Sequence, residues 1–186
     1  MAGVLNQDWR TELVAAVPEF FVQRPGRLAC VIECGAGWRW IIDRCAFRIG
    51  AALEDRESFR FERIREHQGS LRIYWGGRLS AGGEAAVREA IDLGEAASQC
   101  FCELCGAPGR LYGCEDVFQT RCAGHAEGSP VPVRPGFENL HLRQKVITGR
   151  IRVVVRSRYE PDLDRFIDLD TPGSEHGGFK TADKVR

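Results

Sequence analysis

The chain has 186 residues, of which 44% are hydrophobic and 28% charged, with 26 basic and 26 acidic side chains. This fits one globular domain, or one domain with a small appendage. A net charge of zero excludes a global electrostatic pull toward nucleic acid or a membrane surface, so every charge argument is local. The longest apolar stretch, Leu13 to Val22, is interrupted by Pro18 and Glu19. A spanning helix needs about 20 apolar residues. Met1 to Arg10 shows no apolar segment behind a basic start. The chain therefore reads as soluble and cytoplasmic, with no membrane among its partners.

In chain order, Asp8 to Val17 reads as a helix capped by Asp8 and stopped by Pro18. Leu28 to Glu33 reads as a short strand closed by Gly35 and Gly37. Trp38, Ile41, Ile42, Cys45, Ile49, Ala52 and Leu53 recur at spacings of three and four, the stripe of a helix packed on a core. Phe59 to Glu66 and Leu71 to Trp75 read as strands of a hairpin, with Gly69 in the turn. Glu84 to Gln99 reads as a second helix behind the loop glycines Gly82 and Gly83. Its small residues Gly94, Ala97 and Ser98 allow close packing.

Eight cysteines raise the question of disulfides. A disulfide framework suits short secreted chains, whereas Cys30, Cys34 and Cys45 sit in apolar stretches where a reduced thiol acts as a small hydrophobe. The informative group is Cys102-Glu-Leu-Cys105-Gly106 followed by Cys122-Ala-Gly-His125. Zinc takes four tetrahedral thiolate or imidazole ligands. Two cysteines separated by two residues reach one ion when the backbone turns tightly, and Gly106 permits that turn. Arg110 to Tyr112 and Val117 to Thr120 read as a hairpin around Gly113, with Cys122 and His125 on the first turn of a helix. This order of knuckle, hairpin and helix start resembles a treble-clef zinc finger. Four protein ligands leave no open position, so the zinc is expected to be structural. Cys100 and Cys114 are spare. His125-Ala-Glu127 matches half of a zinc deaminase signature, but no cysteine follows position 122 to supply the other half.

Several of these segments stand together in a known order: Gly35-Ala-Gly37-Trp38 opening a helix, Ile64 to Trp75, Cys102 to Arg110 and Thr120 to His125. The set resembles a group of bacterial and phage zinc-finger proteins with a Gly-Trp helix, a KEKFGGLRFY-like hairpin and a CExCGxPG…TxCxxH zinc element. The resemblance spans about residues 34–126 and departs at His67-Gln68-Gly69-Ser70. It implies the zinc ligands and the fold, and it names no activity.

The proline-rich stretch Gly128 to Gly136 reads as a connector, and Lys145 to Tyr159 as strand. In that strand Arg150, Arg152, Arg156 and Arg158 share one face. They suit an acidic protein or nucleic-acid phosphates. Alternatively the five acids of Glu160 to Asp170 fold back onto them. The expected class is α+β: a helix–hairpin–helix core (1–99), a zinc element (100–127), the connector (128–137), a β-rich basic extension (138–170) and a mobile tail (171–186). With no GxSxG, P-loop or GxGxxG signature, the first function expected is non-enzymatic. It is a zinc-braced protein that binds another protein, of inhibitor, immunity or anti-defence type. A nucleic-acid-binding accessory factor is the alternative, and an enzyme with an unrecognised site comes third.

Overall fold

The computed structural model describes residues 8–24, 27–28, 30–147 and 151–169, and these form an α+β fold. Helix α1 (Trp9–Ala16) starts at Asp8, whose carboxylate accepts from the Arg10 N–H at 3.3 Å. Pro18 ends it in a 3-10 turn. The expected strand at 28–33 is divided between β2 (Arg27–Leu28), paired with β1 (Val22–Arg24), and β3 (Val31–Glu33). Ala36–Trp38 form a 3-10 turn that leads into α2 (Arg39–Ala52).

Strands β4 (Ser58–His67) and β5 (Ser70–Arg78) form the hairpin, and β3 joins β4 in parallel. The turn residues Gln68 and Gly69 both have positive φ, 54° and 77°. That is the backbone twist favoured in two-residue hairpins. A bulge between Phe61 and Arg63 shifts the register, so Phe59, Phe61 and Ile64 are all buried. Helix α3 (Ala81–Ser98) begins one turn earlier than its apolar pattern suggests. Ser80 caps it, Oγ accepting from the Gly83 N–H at 3.1 Å, so Gly82 and Gly83 are first-turn residues, not a loop.

Helix α3 also covers the open edge of β5. The Leu71 N–H donates to Ser98 Oγ at 2.8 Å, and the Ile73 N–H to Glu95 Oε1 at 3.4 Å. Side chains thus satisfy backbone donors that an exposed edge would leave unpaired. On its other side α3 meets α2, where a Cβ on Gly94 would lie 3.5 Å from Ile41 and 3.8 Å from Cys45. Trp38, Ile41, Ile42, Cys45 and Ile49 of the predicted stripe are buried with Phe20, Phe61, Ile64, Leu71 and Val87 in one core. Burial pushes the thiols of Cys30, Cys34 and Cys45 up to about 12, and all three are free. Because Ile42 is fully buried, Ile42→Ala should cost about 2–5 kcal/mol in urea unfolding.

The C-terminal sheet is larger than expected. Lys145 to Tyr159 falls in two antiparallel strands, β9 (Leu140–Ile147) and β10 (Ile151–Glu160), and β11 (Arg165–Asp168) flanks β10. Tyr159 carries this sheet into the core, and its hydroxyl donates to Asp164 Oδ1 at 2.8 Å. The expected tail at 171–186 lies outside the described residues.

Candidate metal centre and the surfaces around it

Cys102, Cys105, Cys122 and His125 converge, their ligand atoms all within 4.8 Å of one another. Cys105 Sγ and Cys122 Sγ are 3.7 Å apart, Cys102 Sγ and His125 Nδ1 3.7 Å, and Cys122 Sγ and His125 Nδ1 3.4 Å. A tetrahedral zinc with Zn–S of about 2.3 Å and Zn–N of about 2.0–2.1 Å requires S···S edges of about 3.8 Å and S···N edges of about 3.6 Å. These three edges agree within a few tenths of an ångström, and the other three lie within 4.8 Å. The Cys105–Cys122 distance is far too long for a disulfide, and all eight cysteines are free. The donor set and its spacing can hold a metal ion, and the histidine would ligate through Nδ1.

Local backbone chemistry builds this arrangement. The Gly106 N–H closes the first knuckle on Cys102 O at 2.8 Å, with Gly106 at φ 75°. Burial by itself raises the Cys102 thiol. Backbone N–H groups of Cys122, Cys105 and Leu104, with the His125 ring, outweigh it and hold the thiol down at about 6. Strands β6 (Arg110–Cys114) and β7 (Val117–Arg121) form the hairpin, but its tip is Glu115–Asp116 and Gly113 lies inside β6. Cys114 stands at the end of β6, exposed and outside the ligand cluster.

The second ligand pair departs from the treble-clef expectation. Residues 122–125 form a turn, with the His125 N–H on Cys122 O at 3.0 Å, where a helix start was expected. The chain is needed elsewhere. Gly128, at φ 78°, turns it back so that β8 (Ser129–Pro130) pairs with β6. The start of the proline-rich connector is thus part of a three-stranded sheet.

Glu103, between the first two cysteines, welds the knuckle to the core. Its Oε1 accepts from the Gly35 N–H at 2.9 Å, its backbone O from the Gly37 N–H at 2.8 Å, and its Oε2 from Arg121 Nη1 at 2.7 Å. Trp38 Nε1 donates to Phe101 O at 2.8 Å, and Thr120 Oγ1 to Gly69 O at 2.6 Å. A Cβ on Gly37 would sit 2.3 Å from Cys102 O and 2.4 Å from Gly106 N. The Gly-Ala-Gly-Trp segment is thus the seat on which the metal knuckle rests. Sequence reading missed Glu103 as a structural tie; its place inside a CxxC pair was the available signal.

The chain matches no protein-family model, no curated protein and no solved structure.

The four arginines meet different surroundings. Arg150 and the side chain of Arg152 lie outside the described residues. Arg156 is exposed, and Arg158 Nη2 donates to Gly136 O at 3.1 Å. Two of the acids assigned to them go elsewhere. Asp164 binds Arg44 at 2.5 Å and Arg48 at 2.8 Å. Asp168 accepts from Ser157 Oγ at 2.8 Å and pairs with Lys145. Around Arg156 the outer face of this sheet is apolar, with Leu142 73% exposed, Val154 65% and Ile167 41%. The strand register sets Leu142 opposite Arg156 and Ile167 opposite Arg158.

The inner face holds a charged cluster that sequence reading also missed. Arg143 is buried, with its guanidinium 3.7 Å from the Phe166 ring centroid. It pairs with Glu89, with Asp92 at 3.5 Å and with Asp168 at 4.0 Å. Burial raises the Asp92 carboxyl to about 6; the Glu95 charge adds to this and Arg88 opposes it. An unfolded aspartate titrates near 3.9, so ionised Asp92 costs the fold stability. Its favourable contribution is complete below about pH 4 and is lost as the pH rises through about 6. Asp92→Asn should therefore raise the melting temperature at pH 7.5, and the gain should vanish by pH 4. Melting curves at both pH values check this.

Proposed function

We propose that this protein is a non-enzymatic, zinc-braced binding protein whose partner is another protein. The cluster Cys102, Cys105, Cys122 and His125 would hold one structural zinc, since four protein donors fill a tetrahedron and leave no position for a reacting water. The observation that carries the binding reading is the outer face of β9–β10–β11. Leu142, Val154 and Ile167 are exposed there beside Arg156. Exposed aliphatic side chains in a group, with arginine among them, mark protein interfaces more than phosphate-binding surfaces. An inhibitor, immunity or anti-defence role is the setting proposed for that protein partner.

A photo-reactive residue at Val154 tests this in cells of the source organism. One protein should be captured from Val154 and not from the exposed control position Glu54. Val154→Glu should abolish that complex while zinc content and melting temperature stay unchanged. Capture equal at both positions overturns the reading. A gel shift on mixed DNA and RNA at low salt should show no retention. A shift lost in Arg156→Glu, with log affinity falling at about 0.7–0.9 per phosphate contact against log salt, would replace the protein by nucleic acid.

A further inference from the structure

Helix α2 spends one face on the core and presents a second aromatic stripe to solvent. Trp40, Asp43, Arg44, Phe47 and Arg48 line a groove of about 550 Å³, within the range of about 300–1,000 Å³ typical of ligand pockets. Phe47 is 75% exposed, which is unusual for a side chain whose burial would be favourable by about 2–3 kcal/mol. Trp40 is held in place: its ring meets Phe101 edge-on, with centroids 5.0 Å apart at 90°. The groove therefore has one fixed and one open aromatic wall.

Its guanidinium donors outnumber the acceptor atoms that meet them. Arg44 Nε and Arg48 Nη2 both reach the same oxygen, Asp164 Oδ2, at 2.5 and 2.8 Å. The other oxygen of Asp164 already accepts the Tyr159 hydroxyl. Two guanidinium groups thus share one acceptor. The side chain of Arg44 is 54% exposed, and its two Nη groups meet no acceptor among the described residues. A guanidinium fork of this kind takes a carboxylate in a charge-assisted pair.

We infer that this groove is a binding site for a carboxylate-bearing peptide segment of another protein, with an aromatic or large aliphatic side chain next to the acid. The acid seats on Arg44, and the apolar group lies between Trp40 and Phe47. Asp43 also lines the groove, turned to Arg39 at 3.6 Å. With Asp164 behind, it offsets the charge of Arg44 and Arg48, so the groove lacks the basic excess that a polyphosphate backbone needs, which favours peptide over nucleic acid. The site stands on these α2 contacts and does not rest on the outer face of β9–β10–β11.

Selection of a random linear peptide library on the full zinc-loaded chain tests it. The selected peptides should pair Asp or Glu with Phe, Trp or Leu within two positions. A synthetic selected peptide should shift the Trp40 indole and the α2 amide resonances. Phe47→Ala and Arg44→Gln should each weaken it by about tenfold, with unchanged melting temperature because both side chains are largely exposed. Val154→Glu should leave this binding intact, which separates the result from the fate of the C-terminal face. Peptides without an acidic residue, or affinity that survives both α2 substitutions, overturn the proposal. So does a single-stranded oligonucleotide that shifts the Trp40 resonance more strongly than the acidic peptide.

Discussion

Cys105→Ser should strip the metal from the chain and unfold residues 100–126. The Cys105 side chain is exposed, so its replacement removes almost no packing. Any large loss would come from an ion that it helps to hold. Structural zinc sites contribute apparent binding energies of about 10–16 kcal/mol near neutral pH, comparable with the whole stability of a domain at about 5–15 kcal/mol. The loss should spread beyond the ligands. Glu103 and Phe101 hold the backbone of Gly35 and Gly37 and the indole of Trp38, and Thr120 holds Gly69. Without the knuckle Gly35, Gly37 and Trp38 lose their acceptors, Gly69 O loses its donor, and the start of α2 loses its anchor. Native mass spectrometry should show one zinc per wild-type chain and none in Cys105→Ser. Circular dichroism should show a sharp drop in melting temperature, and a chelator should reproduce it in the wild type. A metal-free chain that melts like the wild type would show that no structural metal is present.

Arg143→Met should be the most damaging substitution in the C-terminal half. The Arg143 side chain is only 3% exposed and serves three carboxylates, Glu89, Asp92 and Asp168. Removing one partner of a buried ionic network leaves the others uncompensated, at a cost of about 3–5 kcal/mol. Here the acids are 29–45% exposed and regain some water, so about 3 kcal/mol is expected. The damage should concentrate at the contact between α3 and β9. Hydrogen exchange should accelerate across β9–β11 while β4 and α2 remain protected. Glu89→Gln should recover part of the loss, because one uncompensated charge is gone. If the double variant is no more stable than Arg143→Met, Arg143 acts through packing on Phe166 and not through its pair with Glu89.

Short-range chemistry was readable from the chain alone. The helical period of Trp38 to Ile49 located the buried face of α2, because a helix must turn its apolar stripe inward. Asp8 and Pro18 bounded α1, and Gly69 marked the hairpin turn, because caps and turns depend on one or two residues. The candidate metal cluster was legible for the same reason. Tetrahedral coordination demands soft donors at short, regular spacing, and Gly106 announces the tight turn between them. A local contest escaped the reading: the cap at Ser80 overrode the helix-breaking tendency of Gly82 and Gly83. Cys122 to His125 stayed a turn because β8 pairs with β6, a partner that periodicity does not reveal.

Only the tertiary structure decided where the charges go. Alternation along β10 shows which residues share a face, but not what that face meets. Asp164 answers Arg44 and Arg48 on α2, 116 residues away from Arg48 in sequence. Asp168 turns inward to Ser157, Lys145 and Arg143. Neither pairing leaves a trace in spacing, because an ion pair needs only two side chains within a few ångströms and imposes no period on the chain between them. The same holds for Glu103, whose spacing marks it merely as a filler between ligands, and for Phe47, whose exposure depends on what packs outside α2. The sequence by itself determined the Cys/His cluster that could hold a metal, the buried stripe of α2 and the turns, because their physics acts over a few residues. The folded chain determined which arginines are buried, which face of the C-terminal sheet is apolar and which groove stands open, because those depend on contacts between distant segments.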